Sequence, residues 1–270
     1  MSVINTNVSA LSAQNALRTN ARSMSTTMEQ LSTGSRVNSA KDDAAGLAIG
    51  QNMTAQVRGL NMAVRNINDG VNMMQTAEGA MIEQSNMLQR MRELAVQASN
   101  GTVSDTQRSY LNTEFQALTS QIGSIASQST WNGTNLMNAS GTFSFQAGAS
   151  SGQTINVVIT SMGTASLGVS TASITTATIA ATTIAKLDTA LNSINSQRAT
   201  IGAGINRMTY SADNMSNISA NTTASRSTIM DTDYATASTN LAKNQIIQQA
   251  ATAMLAQANQ QPQAVLSLLK

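Results

Sequence analysis

Apolar residues recur along this chain in alternating steps of three and four, the spacing that presents one stripe of a helix to a partner helix. The first stripe is Leu17, Ala21, Met24, Met28 and Leu31. After a polar, glycine-containing stretch the spacing resumes at Met53, Val57, Leu60, Val64, Ile67, Val71 and Met74, and it continues through Met81 to Leu88. Met87, Met91, Leu94 and Ala98 carry a second stripe. The pattern predicts a helix from about 44 to 99, roughly 80 Å long, which needs partner helices along its whole length. Gly101 is available for a left-handed cap at its end. Ser104 followed by Gln107 reads as a capping box opening the next helix, with Leu111, Phe115, Leu118, Ile122 and Ile125 in register. The partner stripe comes much later, from Ile184 and Leu187 through Ile194, Ile201 and Ile205 to Met208 and Met215, interrupted at Arg198. Ile247, Ala251, Met254, Ala258, Val265 and Leu268 form the last stripe. Pro262 falls inside it, which predicts helix on both sides of a local distortion.

Between the two helical halves the pattern changes. GTFSFQAG (141–148) and TINVVIT (154–160) alternate apolar and polar residues as half-buried strands do, on either side of ASSGQ. This predicts a small hairpin, followed by a Thr/Ala/Ser-rich stretch to about Thr183. The fold class expected is mainly α: a long antiparallel helical rod with a terminal coiled coil, plus a small β-hairpin region. Residues 1–43 with 228–270 would form the discontinuous coiled-coil domain. Residues 44–227 would form the rod domain, with a solvent-facing, dispensable surface segment at about 138–182.

Composition narrows the chemistry. Charged residues make up only 10% and aromatics 3% of the chain, with a single Pro. Small and amide side chains suit thin helix contacts and extended interfaces better than a thick core. The chain has no His and no Cys, which excludes imidazole acid–base pairs, thiol nucleophiles, disulfides and the usual zinc sites. No convergent polar chemistry remains, and no enzyme, cofactor or metal is expected. A net charge of +2 without a Lys/Arg cluster offers nothing to track a phosphate backbone, so nucleic acid is not an expected partner. Lys41-Asp42-Asp43, and likewise Asp231 and Asp233, read as charged connectors at helix starts and not as a carboxylate pair. The sixteen Met residues fall mainly on the stripes, as adaptable packing. NGT (132–134) and NAS (138–140) fit the N-glycosylation pattern only as short matches, and the Ser/Thr-rich middle favours O-glycosylation. No apolar run is long enough to span a bilayer, and the N-terminus lacks the basic-then-apolar order of a cleavable secretory signal.

Four separated blocks resemble bacterial flagellins: INTN (4–7), LSTGSRVNSAKDDAAGLAI (31–49), LQRMRELAVQASNGT (88–102) and the run from Met230 to Lys270. Their order matches too, which is far more specific than one short motif. The resemblance covers about 1–138 and 183–270 and implies a subunit of a hollow, helical flagellar filament, the propeller of swimming. The short uncharged middle resembles a minimal member without large variable outer domains. In the family the paired termini line the filament channel, and the chain leaves through the flagellum's own export apparatus with an uncleaved signal. An extracellular location is therefore expected.

The resemblance also implies site residues and partners. Terminal coiled-coil assembly is expected of Leu17, Met24, Met28, Leu31, Ile247, Met254, Val265, Leu266 and Leu269. Gln89, Arg90, Leu94 and Glu114 match positions of subunit contact and of recognition by host Toll-like receptor 5. The residues alone also allow a simpler reading, in which Arg90, Glu93 and Glu114 form a solvated helix face with modest ion pairs. Many copies of the chain itself, an export chaperone on the C-terminal segment, the export apparatus, and the cap and hook-junction proteins are the implied partners. A hook–filament junction protein would share the coiled-coil ends and the export route, but should lack the 31–49 and LAQANQ blocks. A helical signalling coiled coil would need a membrane anchor.

Overall fold

The computed structural model describes residues 6–267, with only the backbone for 261–267. Among the described residues five helices, α1 (Val8–Thr33), α2 (Ala44–Ser99), α3 (Asp105–Gln128), α4 (Ala177–Met230) and α5 (Tyr234–Ser267), carry most of the length. Four short strands, β1 (Thr130–Trp131), β2 (Thr134–Asn135), β3 (Gly141–Gln146) and β4 (Thr154–Ile159), lie between α3 and α4. The chain divides into two compact units: 1–56 with 221–270, and 57–220. The division falls farther along α2, and earlier in α4, than the expected limits at 43 and 228.

In the first unit α1 packs along α5. Asn7 caps α1, its side-chain oxygen accepting from the Ala10 N–H at 3.0 Å. Gly34 ends the helix in the left-handed region at φ 71°, its N–H donating to the Gln30 carbonyl. A Cβ there would also lie 3.2 Å from the Tyr234 hydroxyl, so the turn wants glycine twice over. Asp43 caps α2 through the Gly46 N–H, and Asp233 caps α5 through the N–H groups of Ala235 and Thr236. Both acidic connectors therefore start helices, as their positions suggested. The α-helix of α5 continues through Pro262 to Ser267.

The end of α2 differs from expectation. The left-handed glycines among the described residues are Gly34, Gly133, Gly152 and Gly168, and Gly101 is not one of them. Instead Arg108, buried on α3, donates to the carbonyls of Ala98 at 2.8 Å and Asn100 at 3.0 Å. A cation there satisfies orphan carbonyls and complements the negative end of the helix dipole. The capping box of α3 is present, with Ser104 and Gln107 bonded reciprocally.

The second unit has its own core. Leu60, Ile67, Met74, Met81 and Leu88 of α2 meet Leu187, Ile194, Ile201, Met208 and Met215 of α4 and Phe115 and Ile122 of α3, all buried. Strands β3 and β4 pair antiparallel with Gly141 opposite Ile159 and Gln146 opposite Thr154, which is the expected hairpin. Its inner face is Phe143, Phe145, Ile155, Val157 and Ile159. The hairpin comes close to the helices because they carry glycine beneath it. A Cβ on Gly70 would lie 2.8 Å from Phe145, and one on Gly204 would lie 3.0 Å from Val157. Buried Gln197 fastens β4 to α4, donating to the Val158 carbonyl at 2.8 Å and accepting from the Thr160 hydroxyl at 2.9 Å.

Two features depart from the sequence reading. Asn132 and Gly133 both have positive φ, and they turn β1 into β2 as a second, very short hairpin. More importantly, the stretch after β4 is not a surface segment. Met162, Leu167, Val169, Ala172 and Ile174 are buried in the core of this unit. Its backbone is held as well: Gln84 and Gln116 donate to the carbonyls of Met162 and Ala172, and Asn112 accepts from the Ile174 N–H. Few apolar residues suffice when each points inward from an irregular backbone, and such a pattern has no period to read.

Candidate self-assembly surfaces

The α1–α5 pair has a regular seam whose composition is unusual. Positions Ala10, Ala13, Leu17, Asn20, Met24, Thr27 and Leu31 of α1 are buried or half-buried. On α5 the same holds for Ala237, Leu241, Asn244, Gln248, Ala251, Leu255 and Ala258. Both sets follow the three–four spacing. One layer holds mainly Leu and Met. The other holds small or amide residues, and asparagine side chains of α1 and its N-cap bond across the pair. Asn20 donates its side-chain amide to the Asn244 carbonyl at 2.8 Å, and Asn7 does the same to the Ala258 carbonyl at 2.7 Å. At the other end of the pair the Tyr234 hydroxyl donates to the Leu31 carbonyl, and Arg36 donates to that of Ile229.

This seam corrects the expected stripe. Leu17, Met24 and Leu31 belong to it, whereas Ala21 and Met28 flank it and face outward. On α5, Ala251 and Ala258 belong to it, whereas Ile247 and Met254 flank it. Met28 is 55% exposed and Met254 66%. The simplest three–four stripe of large side chains mixes seam and flank because it passes over Asn20, Thr27, Asn244 and Gln248. With Val8, Leu11 and Ile246 also exposed, six large apolar groups of this pair lie outside the seam. The side chains of Val265 and Leu266, and all of Leu269, lie outside the described residues.

A second surface lies on the other unit, where α2 meets α3 and α4. Arg90 bonds Glu114 of α3 at 3.0 Å and Glu93 of its own helix at 2.9 Å, and Arg92 bonds Asp188 of α4 at 2.7 Å. The hydrogen bond it donates to Glu114, then that to Glu93, holds the Arg90 guanidinium above its ordinary pKa, and the one to Asp188 does the same for Arg92. These pairs are solvated and fix side-chain directions more than they add stability. Gln89, Arg90 and Glu114 are exposed together, but Leu94 is only 1% exposed and sits in the core. Leu94 supports that face from beneath and does not present a side chain on it.

Among the described residues no helix is long and apolar enough to cross a membrane, and no group of acidic, His or Cys residues is arranged to hold a metal ion. The geometry consists of extended helix faces. Comparison with known proteins gives these faces their setting. The family model described as bacterial flagellin N-terminal helical region matches residues 4–142, and the one described as bacterial flagellin C-terminal helical region matches 184–269. A flagellin of Halalkalibacterium halodurans is 42% identical over 271 residues, covering 99% of this chain and 100% of the relative. A flagellin of Bacillus subtilis is 40% identical over 304 residues, covering 99% of each. Flagellin A of Vibrio cholerae is 36% identical over 375 aligned positions, more than this chain has residues, so that relative carries insertions this chain lacks. A crystal structure of a Bacillus cereus flagellin is 31% identical and covers 56% of this chain and 88% of that one, with a TM-score of 0.49. Both helical ends match in order, and the relatives align from end to end: the chain belongs to the bacterial flagellins and is a structural subunit of the flagellar filament.

Proposed function

We propose that the chain polymerises through the outward faces of its α1–α5 pair into a hollow helical filament that acts as the propeller in swimming. The observation that carries this reading is the set of large apolar groups that the pair leaves outside its seam. Its seam is narrow and partly polar, while Val8, Leu11, Met28, Ile246 and Met254 are exposed. Each such side chain gains about 1.5–3 kcal/mol when fully covered. Copies of the same pair are the occupant that a filament subunit supplies. In this reading residues 1–43 with 228–270 line the channel. The hook–filament junction role is not favoured, because the named full-length relatives are flagellins.

The same reading assigns an extracellular location, reached through the flagellar export apparatus without cleavage of a signal. A dedicated chaperone would cover the apolar α5 face before export, since an uncovered stripe invites aggregation. Cap and hook-junction proteins would meet the ends of the polymer. Gln89, Arg90 and Glu114 would form the face met by Toll-like receptor 5 and by neighbouring subunits, with Leu94 as its support. The function is not enzymatic.

Replacing Ile246 and Met254 together by Asp tests the assembly surface. Both lie outside the seam, so the chain should keep its helix content and lose sedimentable filament. Normal filament yield from that variant would contradict the assignment.

A further inference from the structure

Three methionines are exposed among the described residues: Met28, Met62 and Met254. Those of the inner core, Met74, Met81, Met91, Met137 and Met208, have no exposure at all. Two of the three exposed methionines therefore flank the α1–α5 seam, whereas Met62 lies on the separate 57–220 unit, beside the Arg65 guanidinium.

We propose that Met28 and Met254 are oxidation sites through which peroxide controls assembly: both convert to sulfoxide in the unassembled chain, and the modified chain does not enter the filament. The proposal rests on the filament reading above. The thioether sulfur attacks one oxygen of hydrogen peroxide. An S–O bond forms, the O–O bond breaks, and the departing oxygen leaves as water. Sulfur is oxidised by two electrons and the peroxide is reduced by two. Exposure decides which sulfurs react, because the core ones have no path for the oxidant. The product matters because of its surroundings. Methionine gives a flexible apolar contact, whereas the sulfoxide brings a strong acceptor. Val8, Leu11, Ile246 and Ile247, the exposed aliphatic groups of the same pair, have no side-chain donor to offer it, and the exposed Tyr234 hydroxyl already donates to the Leu31 carbonyl. Covering an unpaired acceptor in such a surface is unfavourable. Covering the sulfurs by assembly, in turn, closes them to peroxide.

The test treats the monomeric full chain with hydrogen peroxide, locates sulfoxides by peptide mass spectrometry, and then measures the critical concentration for polymerisation. The expected result is modification at Met28, Met62 and Met254 before the core residues, with a rise in critical concentration on the order of tenfold or more. Methionine sulfoxide reductases should restore polymerisation. Met62→Leu, a near volume-conserving change on the 57–220 unit, should still lose polymerisation after the same treatment, because Met28 and Met254 remain open to the oxidant. In preformed filaments Met28 and Met254 should stay unmodified. Unchanged polymerisation of chains converted at Met28 and Met254 would overturn the proposal, as would full resistance of the Met62→Leu variant to the treatment. Should that variant not assemble untreated, recovery on reduction of the parent's sulfoxides decides the matter, and failure to recover rejects the proposal. Failure of the untreated parent to polymerise would contradict the filament reading itself, a different outcome from any of these.

Discussion

The side-chain amide of Asn20 reaches across the α1–α5 seam and donates to the backbone carbonyl of Asn244 at 2.8 Å. Asn20 is buried, and a buried amide in a coiled-coil seam has one favourable alignment, so it specifies register at some cost in stability. Asn7, bonded to the Ala258 carbonyl, fixes the same antiparallel register farther along. Asn20→Ala removes one such bond without introducing bulk. A loss of about 1 kcal/mol is expected, read as a severalfold rise in the critical concentration for polymerisation. An unchanged critical concentration would mean that register is set elsewhere.

Two glycines on α2 separate helix propensity from packing. Gly79 has nothing within 4 Å of where a Cβ would stand, whereas the same atom on Gly70 would lie 2.8 Å from the Phe145 ring. Gly79→Ala should stabilise the 57–220 unit by roughly 0.5–1 kcal/mol. Gly70→Ala should destabilise it by about 1–3 kcal/mol, because overpacking outweighs the gain in propensity. Thermal unfolding of the two variants should shift in opposite directions.

Much of this fold is legible in the sequence, for a physical reason. Heptads along α2 and α4 are long and made of large apolar residues, so their period stands out, and the capping box of α3 and the β3–β4 alternation are local signals. The α1–α5 seam is less legible because Asn20, Thr27, Asn244 and Gln248 occupy inward positions while Met28, Ile247 and Met254 do not. Leu94 could not be told from a surface residue by motif alone, although its place in the stripe with Met91 and Ala98 pointed inward. Asn132-Gly133 is a hairpin dipeptide, but the same residues open an NGT glycosylation pattern, which hides the turn. Nothing periodic announces the role of Arg108 on the end of α2, since that contact depends on where α3 turns back.

The stretch after β4 provides a sharper test of the second unit. Ile174 and Val169 have no exposure, and the Thr183 hydroxyl donates to the carbonyl of Ser173 beside them. Ile174→Ala should cost about 2–5 kcal/mol. Deleting 161–178 in favour of a short Gly/Ser linker should abolish cooperative unfolding of the unit. A deleted chain that unfolds as the parent does would show that the segment contributes no core.

Acid should act first at the helix starts. The Thr236 hydroxyl, with the N–H groups of Thr236 and Ala235, holds the Asp233 carboxyl below its usual range, and Ser39 does the same for Asp42. A depressed folded-state pKa contributes stability above the unfolded value and loses it as pH falls through the folded value. The α5 start should therefore fray below about pH 4. Asp233→Asn keeps a capping oxygen without a titrating group, so local helix content followed by NMR should become flat in that range. Identical acid profiles for parent and variant would exclude Asp233 as the cause.

In the assembly proposed above, the α1–α5 pair is a half-finished interface completed by copies of the chain. Amide hydrogen exchange on monomer and filament tests it most directly. A narrow, partly polar seam should leave 8–33 and 234–260 weakly protected in the monomer and strongly protected in the filament. The stripes at 60–98 and 187–215 should be protected in both states. Equal protection of the terminal helices in monomer and filament would contradict the account.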